Sequence, residues 1–123
     1  MRKQYYFRPS PRGLLAWDVD RLVRLSSKLP RKLVPLAQIR ELDQPWGGEG
    51  EVPTWRAILE HIKLMDAADP VFAIILAADG AVMDGMHRAA KAVREGRAEI
   101  EAVQFPEDPE PDFVGRSPED LPY

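Results

Sequence analysis

At 123 residues, with 45% hydrophobic and 30% charged side chains, the chain has the size and composition of one soluble globular domain built on one core. The absence of cysteine excludes disulfides, thiolate metal sites and cysteine chemistry, and two histidines, His61 and His87, are too few for a histidine-built zinc site without carboxylate help. No apolar run is long enough to span a membrane and no charged-then-apolar leader opens the chain, so the cytoplasm is the expected compartment and a membrane is not an expected partner.

The net charge of -3 is unevenly spread. Residues 1–40 carry ten basic and two acidic side chains, whereas residues 41–123 carry seven basic and eighteen acidic ones. A basic first third can face nucleic acid or another polyanion. The plainer reading is a solvated basic face that neutralises an acidic tail.

Taken in order, residues 1–13 hold Tyr5-Tyr6-Phe7 between basic residues and then Pro9 and Pro11, which predicts an extended arm or edge strand. Three adjacent aromatics are able to stack on bases, but they also anchor an arm to a core. A helix is predicted from Asp18, a good N-cap, with Asp20 suiting the dipole, Trp17 stapling against Leu22, and an end near Ser27 before Pro30. Lys32 to Ile39 predicts a short strand followed by a turn of helix. Glu41 and Asp43 lead into Gln44-Pro45-Trp46-Gly47-Gly48-Glu49-Gly50, a glycine-rich loop without the Gly-Lys-Ser/Thr of a P-loop. It reads as a surface loop, or as a lid with Trp46 as its apolar contact.

Thr54 is placed to cap the next helix. There Trp55, Ile58, Leu59, Ile62 and Met65 recur at helical spacing as one apolar stripe expected to face the core. His61 falls off the stripe at a boundary position, where a neutral imidazole becomes useful only if it lies near His87. The continuous apolar run Val71 to Leu76 predicts a central strand.

Asp79-Gly80 is a tight-turn dipeptide, and Ala81-Val82-Met83 supplies the second strand of a hairpin. Asp84-Gly85 ends that strand, Met86 to Glu95 is rich in helix formers, and Gly96 gives a left-handed stop. Glu99 to Val103 predicts a returning strand. From Pro106 the chain is acidic and proline-rich, and too poor in apolar residues to fold alone. Phe113, Leu121 and Tyr123 are placed to pin it to the body or to a second subunit, a homodimer in the latter case. No internal repeat is present.

The charges of the predicted 86–95 helix carry the chemistry. His87 and Arg88 lie in its first turn and Lys91 one turn on, although cations there oppose the helix macrodipole. The pattern is accounted for by an anion in front of the helix, held by the backbone N–H groups of Gly85, Met86 and His87 and by the cationic side chains, with Gly85 allowing close approach. It is equally accounted for by an ion pair between Arg88 and Asp84, with His87 a satisfied polar residue.

Asp84-Gly85-Met86-His87-Arg88-Ala89-Ala90-Lys91 resembles the second signature box of the ParB/sulfiredoxin superfamily, in which a strand, a Gly-x-His-Arg or Gly-Glu-Arg-Arg turn and a helix bind nucleotide phosphates. The upstream order fits over about residues 33–105: a short strand with Pro-Leu-x-x-Ile, a loop, an amphipathic helix, an apolar strand and the box. The ending, residues 108–112 through 121–123, also resembles small bacterial ParB-like proteins. The resemblance implies an α+β fold with a small mixed sheet flanked by helices over residues 1–105 (a basic arm and helix at 1–31, a core at 32–105), followed by a tail at 106–123. It further implies a bound nucleotide (CTP, ATP or ADP, with Mg2+), phosphates held by Gly85, Met86, His87 and Arg88, Lys91 near the outer charge, and Thr54 across the pocket.

Three functions follow as expectations. The first is a nucleotide-binding module that switches partner or conformation. The second is a phosphotransferase or nucleotide hydrolase resembling the ADP-dependent free serine kinases, whose box also begins Asp-Gly-x-His-Arg. Asp84 is then the candidate base and Glu41 or Asp43 a second carboxylate, with Asp84 as a mere helix cap the alternative. The third is DNA binding, disfavoured because no room remains for a helix-turn-helix and the net charge is negative. The sulfiredoxin reaction is excluded, since Met86 stands where that box has its cysteine.

Overall fold

The computed structural model describes residues 3–45 and 53–123. Within them no helix is long and apolar enough to cross a membrane. The chain is mixed α+β, with two sheets and three α-helices among the described residues. In chain order these are β1 (Tyr5–Arg8), β2 (Leu15–Asp18), α1 (Val19–Ser26), β3 (Lys32–Pro35), α2 (Trp55–Ala67), β4 (Ile74–Leu76), β5 (Val82–Asp84), α3 (Met86–Arg94), β6 (Glu99–Gln104) and β7 (Phe113–Val114). Short 3-10 turns occupy Leu36–Gln38, Arg40–Asp43 and Pro118–Asp120.

Local chemistry sets most boundaries. Asp18 caps α1 by accepting from the Asp20 N–H, and Thr54 caps α2 by accepting from Ala57 N–H at 3.1 Å. The β4–β5 hairpin closes where Gly80 takes φ +91°, with Asp79 accepting from Ala81 N–H. Gly96, at φ +75°, terminates α3.

The main sheet runs β3-β6-β4-β5. Antiparallel pairs lie at both margins, and the central pair, β4 with β6, is parallel. Alternation along β4 and β5 sends Ile74, Leu76 and Val82 to one face and Ile75 and Met83 to the other, so two cores form. The first packs Val34, Leu36, Ile39 and Ala102 against Ala89 and Ala92 of α3. The second packs Trp17, Leu22, Val103 and Phe105. Burial on both faces is what makes β4 read as continuously apolar.

Two expectations change, and an open one is decided. The strand expected from Val71 starts only at Ile74, because Asp69 turns the chain by accepting from Val71 N–H at 3.0 Å, leaving Val71 and Phe72 exposed. The α2 stripe divides: Ile58 and Met65 are half-buried, as are Ala57 and His61 beside them, whereas Trp55 is 83% and Leu59 62% exposed. Trp55, Leu59 and Ile62 therefore face outward rather than into the core. The acidic tail, finally, is held to the body through the residues expected to pin it, Phe113 lying in β7, Leu121 being buried and Tyr123 meeting Tyr5. It contributes β7 to the second sheet, order β1-β2-β7. Trp17 Nε1 donates to the Pro109 carbonyl at 2.8 Å, and the tail's acids pair with the basic first third as Arg8–Asp108 (3.0 Å) and Arg21–Asp112 (3.2 Å). The glycine-rich loop and its Trp46 lie outside the described residues, except for Gln44 and Pro45.

Candidate functional site

The site lies where β5 hands over to α3. β5 ends at Asp84, and Gly85 takes φ +113° and ψ 20°, a left-handed conformation that turns the chain into the first helical residue, Met86. No side chain caps this helix. A Cβ on Gly85 would come within 2.6 Å of Ile74 Cγ2 and 2.9 Å of Arg88 Nη2, so glycine is required here by both dihedral and space.

The expected cations divide their work. Arg88 Nη2 meets Asp84 Oδ2 at 3.0 Å, an i,i+4 ion pair whose side chains are 17% and 25% exposed. Asp84 is thus not a helix cap; it answers the guanidinium. The Nε of Arg88 is buried without a partner. Lys91 turns away from the start of α3: its Nζ donates to the carbonyls of Ala68 (2.8 Å) and Asp66 (3.3 Å), at the C-terminal end of α2. A cation there suits that helix's dipole. Thr54 is at the opposite end of α2, holding its cap.

His87 meets His61. Nδ1 of His61 and Nε2 of His87 are 2.9 Å apart, with ring centroids at 5.2 Å and planes inclined by 23°. A hydrogen bond between imidazoles needs a donor nitrogen on one ring and a bare acceptor on the other, so one ring at least is neutral. Burial first, and His61 second, hold the His87 imidazole below its ordinary value, with Asp84 pulling the other way.

Glu41 enters from the 3-10 turn at Arg40–Asp43. Its Oε2 accepts from Val82 N–H at 2.6 Å, fixing the carboxylate against the edge of β5, while Oε1 is buried without a partner. Two cavities flank the first turn of α3. One, of about 290 Å³, lies in front of the helix and is lined by Ala67 and Ala68 at the end of α2 together with Asp84, Gly85, His87 and Arg88. The other, of about 350 Å³, lies beside it, between Glu41, Gln44, His61, Met65, Met86 and His87. Met86 and His87 are walls of both. The structure therefore brings Asp84, Gly85, Met86, His87 and Arg88 together, sets Glu41 around the corner, and leaves Lys91 and Thr54 engaged elsewhere.

Sequence spacing offered no means of pairing His61 with His87, 26 residues apart. It likewise missed Gln44 as a cavity wall; neither residue belongs to a local motif. Among the described residues no group of three or more His, Cys, Asp or Glu side chains is placed to hold a metal ion. Neither a protein-family model, nor a curated protein, nor a solved structure matches the chain.

Proposed function

We propose that the chain is a nucleotide-binding module of ParB-like kind, with the nucleotide's phosphates at the start of α3. The observation that carries this reading is the uncapped first turn of α3, which Gly85 delivers to a cavity of about 290 Å³ flanked by Arg88 and His87. Free helical N–H groups and a guanidinium converging on one space make an anion site. The cavity is close to the lower end of the ~300–1,000 Å³ range of ligand pockets.

The Asp84–Arg88 pair tells what binding requires. An incoming phosphate competes with Asp84 for the guanidinium, and Asp84 then stands next to the anion. A Mg2+ ion carried in by the phosphates resolves that repulsion, since Mg2+ is commonly held by one or two carboxylates plus substrate phosphates. Asp84 is the residue that would hold it. Exchange of Arg88 between carboxylate and phosphate changes partners at the turn between β5 and α3, which suits a switch.

Phosphoryl transfer is the second reading, with Asp84 as base. It is weakened by the guanidinium at 3.0 Å, which occupies the carboxylate that would take the proton. DNA binding is weaker still, because Arg8 and Arg21 of the basic first third are paired with the tail. The test is calorimetry with CTP, ATP, ADP and GTP, with and without Mg2+, on the wild type, Arg88→Ala and Arg88→Lys. At least one nucleotide should bind, Mg2+ should strengthen it, and Arg88→Ala should weaken it tenfold or more. No binding by any of the four, or full affinity in a folded Arg88→Ala, overturns the proposal. Turnover lost in Asp84→Asn with binding retained would promote the enzyme reading.

A further inference from the structure

Helix α2 carries more apolar surface than its own chain covers. None of its 13 residues is buried, and it rests chiefly on α3. Trp55 (83% exposed), Leu59 (62%) and Ile62 (37%) follow at i, i+4 and i+7, so their side chains stand in one row along the outward side. Asp66, the next position of the row, closes it by pairing with Arg94 at 2.8 Å. The two margins of the row differ. On one side Ile58 and Met65 turn in toward the body. On the other stand Arg56, three residues before Leu59, and Lys63, four after it, both exposed and without an ion pair among the described residues. Glu60, one step farther round the helix, is exposed and pairs with neither.

We propose that this face docks an acidic amphipathic helix of another protein, whose apolar side chains lie on Trp55, Leu59 and Ile62 while its carboxylates run along Arg56 and Lys63. Anchors at i, i+4 and i+7 are how one helix recognises another, and tryptophan and arginine are the residues on which binding energy concentrates. The sign of the flank decides the occupant. In an antiparallel pair with a second copy the basic margin would face itself, cation against cation. In a parallel pair it would face the margin of Ile58 and Met65, so neither arrangement gives Arg56 and Lys63 a carboxylate. The chain's own acidic tail is engaged elsewhere, with Asp108 and Asp112 paired to Arg8 and Arg21. The proposal stands apart from any anion at α3, because His87 meets α2 through His61, which lies off this row.

The probes are two synthetic helical peptides with leucine at i, i+4 and i+7, one carrying glutamate beside each leucine and the other lysine. Each is titrated into the isotope-labelled full chain and followed by NMR. The glutamate peptide should bind about tenfold or more tighter than the lysine peptide, lose affinity with added salt, and shift the amides of α2 around Leu59. Arg56→Glu combined with Lys63→Glu should reverse the preference, and Leu59→Ser should weaken the glutamate peptide several-fold. All three positions are exposed, so these variants keep the fold. No binding of either peptide, equal affinities, a preference that survives the charge reversal, or shifts that fall away from α2 overturns the proposal. A dimer in sedimentation that Leu59→Ser dissolves overturns it too, and gives the face to a second copy. So does binding of phosphatidylglycerol vesicles that the same variant abolishes, which gives the face to a membrane.

Discussion

Gly85→Ala is the sharpest test of how the site is built. Two costs act at this position. A residue with a Cβ at φ +113° is strained, at about 1–3 kcal/mol. The Cβ also lands 2.6 Å from Ile74 Cγ2, and Ile74 is fully buried in the first core, so it has little room to yield. Overpacking of this kind costs about 1–3 kcal/mol more. Gly80 is the control: it has φ +91°, but a Cβ added there meets nothing within 4 Å, so Gly80→Ala carries the strain alone.

With an unfolding entropy of about 2.1 cal/mol/K per residue, a chain of 123 residues loses about 4 °C of Tm per kcal/mol. Gly85→Ala should therefore lower Tm by roughly 8–24 °C, and Gly80→Ala by about half of that. Differential scanning calorimetry on the two variants and the wild type measures both. Equal losses at the two glycines would refute the claim that Ile74 and Arg88 close in on Gly85. So would a Gly85→Ala loss under about 4 °C, which is less than the strain alone predicts.

The His61–His87 pair gives a pH prediction. The folded His87 titrates below the ordinary imidazole value of about 6.5, so the unfolded chain takes up its proton first as pH falls. Stability from this group is complete above about pH 6.5 and is lost as pH drops through the folded value; the urea midpoint should fall across that window in the wild type and much less in His87→Gln, and an equal slope in both would rule this pair out. Asp84→Asn should cost about 1–2 kcal/mol, between exposed and buried ion pairs, yet raise tripolyphosphate affinity several-fold in the absence of Mg2+ by freeing Arg88. Unchanged affinity would show that Arg88 takes no part in anion binding. Trp55→Ser, at an 83% exposed position, should change stability by less than about 0.5 kcal/mol, whereas Trp17→Ala, 2% exposed, should cost about 3–5 kcal/mol; chemical denaturation of the two variants compares them directly.

What could be read from the sequence was local. The caps at Asp18 and Thr54, the Asp79-Gly80 hairpin, the Gly85 turn and the Gly96 stop each depend on residues within one turn of each other. The order of the main sheet was not legible in this way, because β6 inserts between β3 and β4 through pairings such as Lys32 with Ala102, seventy residues apart. Helix α2 shows the limit most clearly. Apolar residues occupy two sides of it, and periodicity alone cannot tell Trp55-Leu59-Ile62 from Ala57-Ile58-Met65 as the inner face. The decision came from what α3 offers: Met86 and His87 beside α2, and Lys91 reaching for its last carbonyls. The tail's composition told only that it does not fold alone; hydrogen bonds from Trp17 and Arg21 and the burial of Leu121 hold it against the second sheet.

At the site itself the ambiguity in the sequence was physical. Cations at the start of a helix need a negative partner, and the chain contains a candidate four residues before Arg88. The Asp84–Arg88 pair offsets the unfavourable macrodipole term, about 0.3–1 kcal/mol for an exposed charge, without any ligand. That same pair leaves the Arg88 side chain in the wall of the cavity in front of α3, where the proposed anion would compete for it. Lys91 behaves differently, because its ammonium is already engaged by the Asp66 and Ala68 carbonyls where α2 ends. Among the described cations at the start of α3, Arg88 is therefore the one that the proposed anion would have to win, in competition with the carboxylate of Asp84 already in place.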